Sequence, residues 1–253
     1  MDIHVMQKMA EEFKGRLEIV KRKSSDIHWY FGNILANIDA LAGLLQGENR
    51  EIFDKFAGGH VADIGAADGD LAFFLETLGY QCDIIDFPDY NFNRMRAAYH
   101  LKEALKSHVS IHEIDLDQRF ELPRRYDAVI FLGILYHLRN PFFALETLAK
   151  NARYCFLSSR IARWVDSGFW PWQRRSYIRN SAVAYLLAPD ECNNDSTNYW
   201  IFSETGLRRI VERAGWEILD YVSYGNRVNS NPRDQVRDER AFMLLRSTVP
   251  EIQ

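Results

Sequence analysis

The chain has 253 residues, 47% of them apolar, a formal net charge of -4 and three cysteines. That length and apolar share suit one sizeable domain with additions, held by a buried core and needing no disulfide staples. The charge supplies no global field for nucleic acid, and the dispersed Cys82, Cys155 and Cys192 exclude a C-x-x-C zinc knuckle. With no leader pattern and no long apolar run, a soluble cytoplasmic protein without membrane or metal is expected.

Residues 1–57 read as an N-terminal helical extension. Ile3, Met6, Phe13, Leu17 and Val20 recur at helical spacing, a break follows at Ser24, Ser25 and Asp26, and 34–45 resumes the apolar helical pattern. The crowded rings of Trp29, Tyr30 and Phe31 read as core more readily than as ligand contacts.

The chain is organised around residues 61–79, VADIGAADGDLAFFLETLG. Val61, Ala62 and Ile64 make an apolar run short enough for a buried parallel strand, and the turn residues Gly65 to Gly69 end it. A helix then opens at Asp70, an N-cap type of residue, and buries Leu71, Phe74, Leu75 and Leu78 before Gly79 closes it. A turn rich in Gly and Ala lets a ligand approach the main chain, and the helix start presents free N–H groups, so this is a cofactor cradle. The next strand, 82–86, ends in Asp86, roughly 20 residues after the turn, where a nucleotide-binding sheet holds ribose hydroxyls. Phe87 follows. The dinucleotide fingerprint G-x-G-x-x-G is absent.

A helix over 93–105 leads to a strand at 109–114 that ends in Asp115, Leu116 and Asp117. The strand 126–133 follows, and its C-terminal end carries Gly133, Ile134, Leu135, Tyr136, His137 and Leu138 to the face where open α/β sheets bind ligands. Asn140 and Pro141 start a helix, and a fifth strand runs over 154–157. After an insertion come a helix capped by Ser203 and two successive strands, 216–224 and 241–246, which predict a terminal antiparallel hairpin.

The insertion, about 158–202, is too long for a connecting loop, and its position makes it a substrate cap. Its first half interleaves Arg160, Arg163, Arg174, Arg175 and Arg179 with Trp164, Phe169, Trp170, Trp172 and Tyr177, a mixture suited to an anionic or aromatic substrate or to a lid anchored by its rings. Its second half, 189–200, either folds on itself through Asx-type turns or aims amides and carboxylates at a substrate, with Asn194, Asn198 and Tyr199 as the candidate contacts.

Asp63, Gly65, Ala67 and Gly69 occupy the acidic and alternating small positions of the first motif of class I S-adenosylmethionine-dependent methyltransferases, which the chain resembles. That resemblance implies an α/β, Rossmann-like, seven-stranded, mostly parallel sheet with helices on both faces over 58–253. It places the ribose of S-adenosylmethionine on Asp86, the adenine between Phe87 and the edge formed by Asp115 and Leu116 (or Asp117), and the methionine end over Gly65. His28 and Trp29 fall where N-terminal helices of this fold overlie the cofactor mouth. Residues 25–157, and most closely the stretch 133–141, resemble the tRNA wobble-uridine carboxymethyl transferases. There the position of Tyr136 holds the transferred group and the nucleoside, Leu132 is its neighbour, and Arg240 corresponds to a C-terminal basic contact. The lysine that reads a carboxylated donor is replaced, with His28 its nearest counterpart, so ordinary methyl transfer to a small molecule is expected and a tRNA-modifying enzyme or a silent scaffold are the alternatives. Within the loop, His137 and Tyr136 are the candidate catalytic groups, His137 because imidazole titrates near neutrality.

Overall fold

The apolar stripe at the N-terminus folds as α1 (Ile3–Arg22), which buries Ile3, Met6, Ala10, Phe13 and Leu17 and is capped by the Asp2 carboxylate accepting from the His4 N–H at 2.9 Å. The computed structural model describes residues 2–167, 174–192, 195–233 and 236–250. It divides into two units, Met1–Phe131 with Asn151–Phe156, and Leu132–Lys150 with Leu157–Gln253.

In the first unit the expected 34–45 helix is shorter, α2 (Asn37–Ala42), entered through a 3-10 turn. Strands β1 (His60–Ile64), β2 (Gln81–Asp86), β3 (Ser110–Glu113) and β4 (Tyr126–Leu132) lie in the order β3-β2-β1-β4, and every pair is parallel. Val61, Ala62 and Ile64 are buried with hardly any exposure, as a strand covered on both faces requires. Between them run α3 (Asp70–Thr77) and α4 (Arg96–Leu105). Two starts differ from expectation. The cap position of α3 is Gly69, in a left-handed conformation, and Asp70 is the first helical residue. The α4 helix begins at Arg96 because Arg94 and Met95 both take positive φ, and the Asn93 side chain caps it by accepting from the Ala97 N–H at 3.2 Å.

The fifth strand, β5 (Ala152–Ala162), starts in this unit and continues into the second. It outruns the expected 154–157 because Ser158, Ser159 and Arg160, which look like loop residues, are all buried. The second unit opens with α5 (Pro141–Asn151) and turns the insertion into a hairpin of β6 (Trp164–Ser167) and β7 (Arg174–Tyr177), then β8 (Ala184–Leu186) and β9 (Trp200–Ser203). Strand β9 pairs parallel with β5, and β8 lies antiparallel to β9, so two strands join the seven expected. A small apolar cluster of Ala162, Ile178, Leu187, Cys192 and Ile201 anchors the insertion. Ser203 caps α6 (Glu204–Arg213) through the Gly206 N–H at 2.9 Å. The antiparallel hairpin of β10 (Trp216–Gly225) and β11 (Glu239–Ser247) closes the fold. Among the described residues no helix is long and apolar enough to cross a membrane.

Candidate cofactor and acceptor sites

The turn between β1 and α3 is built from left-handed residues: Gly65 at φ +67°, Ala67 at +53° and Gly69 at +87°. An L side chain in that region costs about 1–2 kcal/mol, so Ala67 is held there by its neighbours. Its N–H donates to Asp86 Oδ2 at 3.3 Å and its carbonyl accepts from Asn91 Nδ2 at 3.0 Å. Gly65 and Ala67 stay half-buried while Ala66, Asp68 and Gly69 are buried, so the turn shows alternate residues outward. Gly69 serves packing: a Cβ there would lie 2.6 Å from Ile84 and 2.9 Å from Phe73.

Three carboxylates surround this turn, and burial raises the pKa of each. Asp63 is pushed to about 7, and its Oδ2 accepts from the Ala72 N–H at 3.1 Å, so it is the side chain that caps α3. Asp86, half-buried at the tip of β2, is raised by burial against the lowering effect of bonds from Asn91 Nδ2 at 2.8 Å and the Phe87 and Ala67 N–H groups. Asp70 is raised by burial against the pull of Lys21, and its Oδ1 is buried with no hydrogen-bond partner. These carboxylates outnumber the Lys21 ammonium beside Asp70, and Asp70 Oδ1 is left without a donor. Such a set suits a ligand that brings a cation and hydroxyl groups, which the sulfonium and ribose of S-adenosylmethionine do. Strand β3 ends alongside, its following residue Ile114 donating to the Asp86 carbonyl at 2.9 Å. Asp115 is half-buried and accepts from the Asp117 N–H at 2.9 Å, Leu116 is buried, and the Phe87 ring lies 5.8 Å from Tyr90. The structure thus gathers Asp86, Phe87, Asp115 and Leu116 at the ends of β2 and β3.

In the second unit stand Leu132, the half-buried last residue of β4, and Gly133, at φ +77°, which opens the loop after it. A Cβ on Gly133 would stand 2.9 Å from Arg240 Nη1 and 3.6 Å from the Tyr136 hydroxyl. Arg240 Nη2 donates to that hydroxyl at 3.3 Å, with the guanidinium 5.7 Å from the Tyr136 ring. The His137 ring lies 4.4 Å from that of Tyr136. His137 Nδ1 faces both the Thr197 carbonyl at 3.2 Å and Thr197 Oγ1 at 3.0 Å, and that hydroxyl donates to Asp195 Oδ1 at 2.6 Å. A carbonyl only accepts, so the proton sits on Nδ1 and Nε2 carries the lone pair. Burial lowers the His137 pKa, with Asp195 opposing it, and the ring is neutral at pH 7.

Several expected acceptor contacts are engaged within the insertion. Arg163 is buried and gives Nε to Glu239 Oε2 at 2.6 Å and Nη2 to Glu239 Oε1, and Arg160, also buried, donates to Cys192 Sγ at 2.6 Å and the Asn231 carbonyl at 3.1 Å. Trp164 gives Nε1 to the Val228 carbonyl at 2.8 Å and packs on Tyr177 and Arg175. Asn198 turns back on the Cys192 and Asp195 carbonyls, the self-folding alternative for this stretch. Tyr199 accepts from Arg139 Nε at 3.0 Å, and its N–H donates to the Tyr136 carbonyl at 2.8 Å. Asn194, Phe169, Trp170 and Trp172 lie outside the described residues. Near the N-terminus, Trp29 Nε1 donates to the Lys21 carbonyl, while His28 is exposed and packs 4.5 Å from Phe92. Phe31, expected in the core, is 86% exposed. The residues that sequence reasoning missed are Asn91 and Thr197, both in Asx-rich stretches, and Lys21 and Asp68, which no local pattern marks.

No curated protein matches the chain. Among solved structures it is similar to the N-terminal domain of EvdMO1 crystallised with SAH and D-fucose (TM-score 0.56, 17% identity, 92% of this chain and 97% of that one). It is similar also to the [4+2]-cyclase SpnF (0.58, 13%, 88% and 88%) and to magnesium protoporphyrin IX methyltransferase from Synechocystis with bound SAM (0.51, 18%, 83% and 78%). These likenesses carry the fold. A methyltransferase-domain model matches residues 28–221, most of the chain and both of its units, and the chain therefore belongs to the S-adenosylmethionine-dependent methyltransferases.

Proposed function

We propose that this methyltransferase acts on a small molecule with an anionic or aromatic group, and that Tyr136, His137 and Arg240 receive it. S-Adenosylmethionine supplies a methyl already activated by its sulfonium, so the protein's task is mainly to align an acceptor. In this reading Asp86 holds the ribose, Phe87 with Asp115 and Leu116 borders the adenine, and Gly65 and Ala67 offer the turn to the methionine end, with Leu132 nearby in sequence to the acceptor loop. Asp63 and Gly69 shape that turn from behind. Arg240 and the Tyr136 hydroxyl present a cation and a polar edge to the acceptor, Tyr199 borders them, and His137 Nε2 takes the proton if the acceptor is a weakly acidic hydroxyl.

The observation that carries the small-molecule reading is the pairing of the insertion's arginines. Arg163 meets Glu239 and Glu204, Arg175 meets Asp166, and Arg179 meets Glu204, so these guanidinium groups are not a phosphate-binding stripe of the kind a tRNA ligand needs. Arg163, paired with Glu239, and Arg160, Trp164 and Asn198, bonded to Cys192 and to backbone carbonyls, are better read as the framework of a cap over 158–202 than as acceptor contacts. Isothermal titration with S-adenosylhomocysteine against wild type and Asp86→Ala tests the cofactor half. Mass spectrometry of small molecules that co-purify, followed by a methyl-transfer assay, tests the acceptor half. Bulk tRNA binding that weakens steeply with salt would replace this reading with the tRNA alternative.

A further inference from the structure

The geometry points to Lys21 as a positioning residue for the cofactor turn, acting through Asp68; the inference rests on the reading of that turn as the methionine-end contact. Lys21 is in the last turn of α1, upstream of the matched residues 28–221. Its ammonium lies 2.9 Å from Asp68 Oδ2 and 2.8 Å from Asp70 Oδ2, between two buried carboxylates on either side of Gly69. Asp68 is wholly buried. It also accepts from Asn93 Nδ2 at 2.7 Å and from the Tyr30 N–H at 3.1 Å.

Each partner of Asp68 comes from a different element: Lys21 from α1, Tyr30 from the segment that follows it, and Asn93 from the entrance to α4. Asp68 follows directly on Ala67, the strained left-handed residue of the turn. Ala67 itself is held on its other side by Asp86 and Asn91. The turn is therefore gripped from two sides, and only the Lys21 side brings a positive charge. Without Lys21, Asp68 and Asp70 lose the cation that ties them together across Gly69, so this side of the turn loosens and Ala67 is freer to leave its left-handed conformation. That movement removes the shape presented to the ligand. Lys21 and residues 24–30 are on this account part of the cofactor site although no atom of Lys21 need touch the cofactor.

The test is isothermal titration of the full chain with S-adenosylhomocysteine, together with hydrogen exchange and thermal melts. Lys21→Met is expected to raise the Kd about tenfold, equivalent to about 1.4 kcal/mol, and to speed exchange at residues 65–69, while Lys21→Arg restores most of the affinity. In the wild-type protein S-adenosylhomocysteine is expected to protect 24–31 together with 65–69, a readout that needs no variant to fold. A Lys21→Met protein with a lower melting temperature but unchanged Kd, or a ligand that protects 65–69 and leaves 24–31 untouched, overturns the inference. If instead Asp86→Ala also leaves binding unchanged, the reading of the turn itself has failed, which is a separate result.

Discussion

Replacing Glu239 by Gln removes the charge opposite Arg163. Glu239 has no exposure and Arg163 has 4%, the pair is bidentate, and Ser230 Oγ donates to Glu239 Oε2 at 3.1 Å. Breaking one side of a buried pair costs about 3–5 kcal/mol, because the other charge stays behind in a poor solvent. Glu204 stands 3.6 Å from Arg163 Nη1 and recovers part of the loss, so the lower end, about 3 kcal/mol, is expected. For a chain of this size that is a fall of roughly 10 °C in melting temperature. Urea unfolding of Glu239→Leu, Arg163→Met and the double variant that combines them forms a cycle in which the double is less destabilised than either single, with Glu239→Gln measured beside it. Arg163 was expected at an acceptor, and the same cycle separates the two roles. A Glu239→Gln protein within 1 kcal/mol of wild type, or a double variant whose losses simply add, refutes the assignment of this pair to the framework.

Three further outcomes follow from the geometry. Asp63, with its pKa raised to about 7, binds a proton in the folded chain that the unfolded chain has lost above about pH 4, so stability falls as pH rises from about 4 to 7, by on the order of 4 kcal/mol, and levels off above; Asp63→Asn keeps an acceptor for the Ala72 N–H and should flatten that slope in urea titrations at pH 5 and 8, and a slope unchanged in the variant contradicts it. His137 is lowered by burial, so wild-type kcat should rise with pH and reach its plateau below about 6.5, while His137→Gln loses roughly a hundredfold and the pH step with it; a loss under threefold means that the acceptor needs no base. Gly133→Ala puts a methyl on a left-handed residue and against Arg240 Nη1, so the acceptor KM should rise about tenfold with kcat little changed and about 1–2 kcal/mol of stability lost; steady-state kinetics at saturating cofactor decide it.

What could be read from the sequence was whatever is set locally. The strand, turn and helix at 61–79 depend on an apolar run, small residues at positive φ and a helical stripe, all of which fall within one window, and the spacing to Asp86 is imposed by one βα step of the sheet. The Ser203 cap and the terminal hairpin are of the same kind. Failures occurred where the meaning of a residue depends on a partner far along the chain. Asp70 looks like a cap because nothing adjacent reveals that Asp63 already fills that role and that Lys21, 49 residues away, occupies the Asp70 carboxylate. Ser158, Ser159 and Arg160 look like the end of a strand because polar side chains usually mark exposure, yet β5 carries them on into the interior once Cys192 and Asn231 supply bonds.

The arginines of the insertion show most directly why composition misleads about ligands. A guanidinium beside an aromatic ring has the same local appearance whether it waits for a phosphate or holds a strand in place. The two cases differ only in whether a carboxylate from elsewhere has reached it first. Glu239 is 76 residues from Arg163, and Glu204 is 25 from Arg179, distances at which no periodicity operates.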